Sequence, residues 1–580
     1  MATATNDMNM NDTSDMEDTS DMNDTSDAED SSDIDDSDDS SDTEDSSDID
    51  DSDDSSDIDD SDDSSDMEDT SDIEDSSDTE DTSDMEDTSD MEDSSDTEDT
   101  SDMEDISDME DSTGATPPSD EVADVEGVGL AVEEDTDVNN ETFRNFDSDG
   151  IAVVEDGVNV ELDEVAATSN GDDGFEIRGG VSEVSVTANQ SSFNLNGDDG
   201  IDVFGENNTV DLNRVEAAFN EAGGLGVDGT NNTFNINLSE FEGNLDGLVI
   251  PRTGVGNSFN IEDSAFFDNK DDGIDIFGNE NTFTLNRASS TGNAEDGVEI
   301  DGSNNTITGT DGNFSDNGGD GFGDDITANG NEITLTATTF RENGDDGFDI
   351  EGSDNVITLN NVSSDGNAEE GFEIDGRNNT VTIQDRSVFG GNKEDGFDID
   401  FRGTENTIEV KESGFRNNGD DGFDIFGRNN TVTWEDVQSF DNQEDGFEVD
   451  GDANTITIQD SFMLDNGSSG FSFDLTGEQN NLTINDSEIF RNAEDGIEIL
   501  GNGNTVGLFG TEIFNNGEWG IEVAGDDNRI EIGAGTTFEG NESGAIIITG
   551  TGNTFDILSS TGLTADDIVN EGSNNTINFA

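Results

Sequence analysis

The pattern Asp/Glu-Gly-hydrophobic-acidic-Ile/Val recurs along most of this 580-residue chain, as in Asp173-Gly174-Phe175-Glu176-Ile177. Its glycine falls at Gly150, Gly174, Gly200, Gly224, Gly247, Gly273, Gly297, Gly321, Gly347, Gly371, Gly396, Gly422, Gly446, Gly470, Gly496, Gly520 and Gly544, 17 copies at intervals of 23 to 26 residues. A fixed period in this range marks a repeat architecture. Each unit is too small to bury its own apolar face, so it must stack on its neighbours.

One unit shows what stacks. In Asp346-Gly347-Phe348-Asp349-Ile350-Glu351-Gly352, Phe348 and Ile350 are two apart and share a face, with Asp349 opposite. Gly352 marks a turn. Ile357 and Leu359 then alternate with Thr358 in a second strand, and a third short strand ends near Phe340 in the neighbouring unit. Three short strands and three turns per period make one coil of a solenoid. The 26-residue intervals end at Gly200, Gly273, Gly347, Gly422 and Gly496, which reveals a three-coil superunit of 73 to 75 residues. Phe340-Arg341, Phe415-Arg416 and Phe490-Arg491 fall in register within it. Tandem duplication of such a block copies a surface rather than a single active site.

Asparagine keeps its own register. An Asn-Thr-hydrophobic phrase, or a close variant, places Asn208, Asn232, Asn257, Asn281, Asn305 and their successors once per coil. A second Asn precedes the repeat glycine by four residues, as at Asn170, Asn196, Asn269 and Asn293. An amide carries both donor and acceptor, so a stack of inward Asn side chains can satisfy itself from coil to coil.

These features together resemble the right-handed parallel β-helix family that includes pectate lyases, polygalacturonases and NosD-type repeat proteins. The resemblance covers roughly residues 125–580. It implies an all-β, single-stranded right-handed parallel β-helix of about 17 coils over residues 121–580. It does not by itself imply an activity.

Residues 1–120 have different physics. Residues 1–112 hold 52 acidic side chains and no Lys or Arg, in variants of a Ser-Asp-x-Asp/Glu-Asp-Ser/Thr hexapeptide. No aromatic residue precedes Phe143. Such a segment cannot bury enough apolar area to offset chain entropy, so a disordered, self-repelling tail is expected. It resembles the Asp-Ser repeats of mineral-binding phosphoproteins and the Ser-Asp stalks of surface adhesins. A plain reading is a solvated spacer with loose cation binding. Pro117 and Pro118 mark the hinge.

Charge narrows the partners. The formal net charge is -135, from 151 acidic and 16 basic residues, and there is no Cys, His or Tyr. Disulfide frameworks and thiolate zinc sites are excluded, and the commonest general base is absent. Nucleic acid and anionic membranes need Lys/Arg clusters, so neither is expected as a partner. No apolar run is long enough for a membrane-inserted helix. The amino-terminal residues lack the basic and apolar regions of a classical signal peptide. An extracellular or cell-surface location by another route is therefore expected, with a cytoplasmic one as the alternative. The composition suits a halophilic or marine setting.

Two acidic columns run along the coils. The position after the Phe/Ile carries Glu176, Asp202, Asp275, Asp349, Asp398, Asp424 and Glu498, and the position before the Gly carries Asp173, Asp199, Asp272, Asp346, Asp395, Asp421 and Asp495. Like charges one strand spacing apart repel by about 0.9 kcal/mol per pair even at the dielectric of water. Over many coils this approaches a domain's net stability of roughly 5–15 kcal/mol. Protons or cations must relieve it. Ca²⁺ takes several oxygen ligands in flexible geometry, which suits stacked carboxylates and turn carbonyls. Multiple low-affinity Ca²⁺ sites on a solvent-facing acidic ridge are expected. The competing reading is a solvated face with diffuse Na⁺ or K⁺.

An enzyme reading stands beside this one. Asp272-Gly273-Ile274-Asp275 is similar to the Asn-Thr-Asp-Gly-Ile-Asp segment of polygalacturonases, which would imply a paired-carboxylate hydrolase. That family's Gly-His-Gly has no counterpart here, and the phrase recurs in nearly every coil. In pectate lyases an Arg acts as base beside Ca²⁺. The in-register Arg341, Arg416 and Arg491 are expected to form cross-coil ion pairs instead. The function expected is a non-enzymatic repeat protein, adhesive, structural or carbohydrate-contacting. The alternative is a polysaccharide-active lyase, hydrolase or epimerase. An open coil end leaves end-to-end self-association, or a short helix at Thr564–Val569 covering the end, as the two expectations there.

Overall fold

The computed structural model describes residues 127–580. The acidic tail, the proline hinge and the first residues assigned to the solenoid lie outside the described residues. The described chain is built of short strands and two 3₁₀ turns. The strands form three stacks, and each strand pairs in parallel with its counterparts one coil before and one coil after. Phe175 faces Ile201 on the first face, Thr233 faces Ser258 on the second, and Phe241 faces Phe266 on the third. This is a parallel β-helix, the right-handed kind that the resemblance implies.

The second face is the most regular. It holds 19 strands, from Thr136–Asn139 to Thr576–Phe579. Two more coils exist than the 17 repeat phrases because the coils at Leu130–Val132 and Ile568–Asn570 lack the Asp-Gly phrase yet still pair with the stack. Its typical strand, Thr282–Asn286, buries Phe283 and Leu285 and leaves Thr282 exposed. Strict alternation with β-branched residues fits a pleated surface that is dry on one side. The first face has eight strands up to Val298–Ile300 and five more from Phe471–Phe473 onward. Between them the segments stay stacked through bonds such as Asp349 N–H to the Phe322 carbonyl at 3.0 Å.

Phenylalanines fill the bore. Phe234, Phe259 and Phe283 stack at ring-centroid distances of 4.8 and 4.6 Å, one coil apart each. Trp434 is fully buried among them and packs on Phe415.

Both asparagine registers are buried, and they work differently. In the Asn208 series each side-chain oxygen accepts the preceding coil's Asn N–H, as Asn232 Oδ1 does from Asn208 at 2.8 Å. The side-chain nitrogen then donates to a glycine carbonyl, here Gly205 at 2.8 Å, instead of to another amide. The expected amide-to-amide ladder belongs to the other series, where Asn196 Nδ2 donates to Asn220 Oδ1 at 3.0 Å. The residue before each Asn of the Asn208 series is left-handed, as at Asn231 (φ 56°) and Asn304 (φ 59°). Asn and Asp tolerate that region best among non-glycine residues, which accounts for the recurring Asn-Asn doublets.

The carboxyl-terminal coil departs from expectation. Thr564 caps a single 3₁₀ turn, Ala565–Asp567, and the chain then enters the strand Ile568–Asn570. A covering helix over Thr564–Val569 does not form.

Candidate metal centre

The acidic columns lie along the first face, where the Asp-Gly turns lead into strands up to Val298–Ile300 and again from Phe471–Phe473, and into stacked extended segments between. The repeat glycine is required by closeness rather than by φ. A Cβ on Gly174 would sit 2.5 Å from the Gly200 carbonyl oxygen and 2.8 Å from Asn196 Nδ2. With no side chain in the way, coils approach closely and the acids before and after the glycine come together.

The turn acids form a ladder of their own. Asp199 N–H donates to Asp173 Oδ1 at 3.0 Å, Asp296 N–H to Asp272 Oδ1 at 2.7 Å and Glu370 N–H to Asp346 Oδ1 at 2.7 Å. Asp421 N–H donates to Asp395 Oδ1 at 2.5 Å, and Trp519 N–H to Asp495 Oδ1 at 2.6 Å. Each such carboxylate commits one oxygen to the next coil. Its other oxygen is left for the strand acids.

The expectation of a solvent-facing ridge is corrected here. Asp173, Asp199, Asp202, Asp272, Asp275, Asp346, Asp421 and Asp495 are buried, and Glu176, Asp349, Asp395, Asp398, Asp424 and Glu498 are half-buried. Asp202 is 3% and Asp275 5% exposed. Stacked short side chains at strand spacing cover one another, and the turn acids close the flank. The result is a trough.

Predicted residues converge in several groups. Asp173, Asp199 and Asp202 form one, with ligand oxygens all within 4.8 Å of one another. Asp272 and Asp275 join Asp246, and Asp346 joins Glu370 and Glu373, within the same limit. Asp246, Asp296, Glu299, Glu370 and Glu373 were not among the expected ligands, although their register relative to the repeat glycine is the same. Glu176 is differently engaged: Arg178 Nε lies 2.9 Å from Glu176 Oε2, and its Nη2 lies 2.8 Å from Asp149 Oδ2.

Several oxygens in the trough have no hydrogen-bond partner. They include Oδ1 of Asp202, Asp275, Asp349 and Asp398, all buried. The electrostatics follow. Burial first, and neighbouring carboxylates second, push Asp173, Asp202, Asp349, Asp398 and Asp424 well above the usual carboxylate range. For the same reasons Asp272 is pushed up to about 12, Asp296 and Glu373 to about 8, and Asp246 to about 7. At the far end burial raises Asp495 to about 8 and Glu498 to about 7. A dry file of acids crowded in this way has two stable fillings, protons or cations.

One acid points inward instead. Asp324 takes the bore position that Ile350 holds one coil later. It accepts Gly352 N–H at 2.8 Å and Asn355 Nδ2 at 2.7 Å. No repeat pattern in the sequence signals it.

Beside the trough lies a cleft of about 230 Å³ lined by Ile326, Glu351, Ser353, Asp375, Gly376, Arg377 and Arg402. Arg402 Nη1 reaches Asp375 Oδ2 at 3.0 Å. Of the in-register arginines, Arg341 pairs with Asp365 at 3.4 Å and Arg491 with Asp465 at 2.5 Å, each on an adjacent coil.

Comparison with known proteins gives the same architecture. The family described as "Right handed beta helix region" matches residues 126–288, 253–412 and 401–543. The chain belongs to that family. This right-handed β-helix protein has no match among curated protein sequences. Among solved structures it is similar to the pectate lyase Pel9A at 17% identity and a TM-score of 0.26, covering 42% of this chain and 68% of that one. It is similar to the periplasmic alginate epimerase AlgG at 10% identity and 0.33, covering 58% and 76%. The Azotobacter vinelandii mannuronan C-5 epimerase AlgE4 A-module gives 13% and 0.22, covering 73% and 88%. These neighbours are polysaccharide lyases and epimerases, and likeness this low transfers no activity.

Proposed function

We propose that this β-helix protein is a non-enzymatic extracellular or cell-surface repeat protein whose acidic trough is filled by divalent cations, Ca²⁺ foremost. Its role is structural or adhesive, with polysaccharide or other surface material as the contact. The observation that carries this reading is the run of buried carboxylate oxygens without hydrogen-bond partners. Isolated buried charges are too costly to keep, so such oxygens gain a proton or a metal. Hard oxygen donors in flexible number suit Ca²⁺, and the chain has no Cys thiolate or His imidazole to offer a softer-metal site.

The test is thermal melting followed by circular dichroism at moderate salt, with Ca²⁺ and with chelator. A melting temperature that rises with Ca²⁺ and falls with chelator supports cation loading. An unchanged one removes it and leaves a diffuse Na⁺ or K⁺ atmosphere.

A second reading, a polysaccharide-active enzyme, is favoured by the cleft that sets Glu351 and Asp375 beside Arg377 and Arg402. Release of saccharide products from acidic and neutral polysaccharides would establish it.

A further inference from the structure

Asp272 belongs to two carboxylate groups at once. With Asp246, one coil earlier, and Asp275 on its own coil, it forms a group whose ligand oxygens lie within 4.8 Å of one another. With Asp296 and Glu299, one coil later, it forms a second group within the same limit. Backbone bonds pin the three turn acids in line: Asp272 N–H donates to Asp246 Oδ1 at 3.2 Å, and Asp296 N–H donates to Asp272 Oδ1 at 2.7 Å. Asp275 Oδ1 is buried and has no hydrogen-bond partner. The Asp272 and Glu299 carboxyl groups bring ligand oxygens within 4.8 Å of each other, an approach that a proton or a cation between them relieves. None of the five acids has an ion pair with Lys or Arg among the described residues.

The island has boundaries. On the strand position that carries Asp275 and Glu299, the coil before presents Val249, in register with Asp275. The coil after presents Gly323 at that position. At the strand position, Asp275 and Glu299 therefore stand between two coils that offer no acid. The group Asp173, Asp199 and Asp202 differs. The coil after it has Gly223 and Gly226 where acids would be, and Asp199 leans over both, accepting the Gly223 N–H.

We propose that this island is a two-cation centre in which Asp272 bridges one Ca²⁺-type ion held with Asp246 and Asp275 and a second held with Asp296 and Glu299. Two divalent ions nearly balance five carboxylates, and the coil rise sets their separation at about 4.8 Å. A bridging carboxylate stabilises such a pair by lying between two positive charges, and the second oxygen of each outer acid completes the shells with turn carbonyls and water. The inference rests on the proposal that cations fill the trough. Asp173 also belongs to a second group, with Asp149 and Asp172, but there the Arg178 guanidinium already places a positive charge on Asp149, so a single ion is assigned to Asp173, Asp199 and Asp202.

The test uses crystals of the full chain soaked in Tb³⁺ as a Ca²⁺ analogue, read by anomalous scattering. Two peaks flanking Asp272, one coil apart, are expected, with one peak at Asp173, Asp199 and Asp202. Asp272→Asn should lose both peaks of the pair. Asp275→Asn should lose only the peak beside Asp246, and Glu299→Gln only the one beside Asp296. The Asp173 peak should persist in all three variants and reports that the fold is intact. A single peak at Asp272, or an Asp272→Asn variant that keeps either one, overturns the bridge. A chelator-sensitive melting temperature combined with that result leaves cation loading standing. No peak in either group, together with a chelator-insensitive melting temperature, removes both.

Discussion

The Asp272 carboxylate accepts the backbone N–H of Asp296, one coil further on, at 2.7 Å. The same relation links Asp296 to Asp320 and Asp320 to Asp346, at 2.6 and 2.7 Å. The backbone period itself therefore fixes where each turn acid points. A bond from an N–H favours the charged carboxylate, whereas burial and neighbouring acids oppose it. Burial wins: Asp296 and Asp246 both sit above the usual range despite their N–H donors.

Stability should depend on pH in an unusual direction. Without cations, Asp246 at about 7 and Asp296, Glu373 and Asp495 at about 8 lie above the ordinary carboxylate values of 3.8 to 4.5 that the unfolded chain would show. The folded state binds more protons than the unfolded state between these limits, so stability falls as pH rises. The contribution is fully present below about pH 4 and is lost as pH climbs through 7 and 8. In chelator, the melting temperature should drop from pH 5 to pH 8.5. Millimolar Ca²⁺ should flatten the profile, and binding at pH 7 should release protons, seen as a buffer-dependent enthalpy. A chelated protein that gains stability from pH 5 to 8 contradicts the trough as described.

The buried amide ladder should be intolerant of truncation. Asn293 Oδ1 accepts from Asn269 Nδ2 at 2.9 Å, and Asn293 Nδ2 donates to Asn317 Oδ1 at 3.0 Å and Ser290 Oγ at 3.0 Å. Asn293→Ala leaves partners on both neighbouring coils unsatisfied, each worth roughly 1–3 kcal/mol. Denaturant unfolding should show a loss of at least about 2 kcal/mol. Asp324→Ala should cost about 1–3 kcal/mol by the same logic, because Gly352 N–H and Asn355 Nδ2 lose their acceptor.

Much of this was legible in the sequence, and the reason is the period. Gly174 to Gly544 announce the coils, Phe348 and Ile350 announce a face, and the two Asn registers announce buried amides once per coil, although the amide-to-amide ladder runs through the Asn196 series and not the Asn208 series. What the period cannot carry is depth. Whether Asp202 faces water or lies under its neighbours depends on the spacing between coils and on the flanking turn acids, which only the folded stack supplies. Asp246 and Asp296 follow the register and were within reach of it. Asp324 was not, since it breaks the apolar rule at one bore position and is satisfied by residues one coil away.

Glycine in the repeat phrase should be irreplaceable where coils approach, and only there. A Cβ on Gly273 would meet Ser290 Oγ at 1.6 Å and the Gly297 carbonyl oxygen at 2.7 Å. Gly273→Ala must push a coil aside, a change of the overpacking kind that costs about 1–3 kcal/mol or more. Gly414, on the third face, is the contrast: its nearest contact would be the Gln438 carbonyl oxygen at 3.4 Å. Gly414→Ala should leave the unfolding free energy from urea titration within about 0.5 kcal/mol of the parent, as expected of a substitution that meets no such obstacle.

Arg178 offers the sharpest comparison of a built-in cation with an added one. Its guanidinium bridges Asp149 and Glu176, and its side chain is 15% exposed. Arg491, paired with Asp465 at 2.5 Å, is 51% exposed and stacks on Phe490 at 4.6 Å. Removing a partner from a buried pair leaves charge uncompensated and costs about 3–5 kcal/mol, whereas an exposed pair is worth about 0.2–1 kcal/mol. Arg178→Ala should therefore destabilise the chelated protein at pH 8 far more than Arg491→Ala does. Asp149 also groups with Asp172 and Asp173 within 4.8 Å, so the site left behind is a carboxylate cluster. Ca²⁺ should restore part of the loss in Arg178→Ala and none in Arg491→Ala, measured as the shift in melting temperature on adding the ion. Equal responses of the two variants would mean that the guanidinium at Arg178 does not stand in for a trough cation.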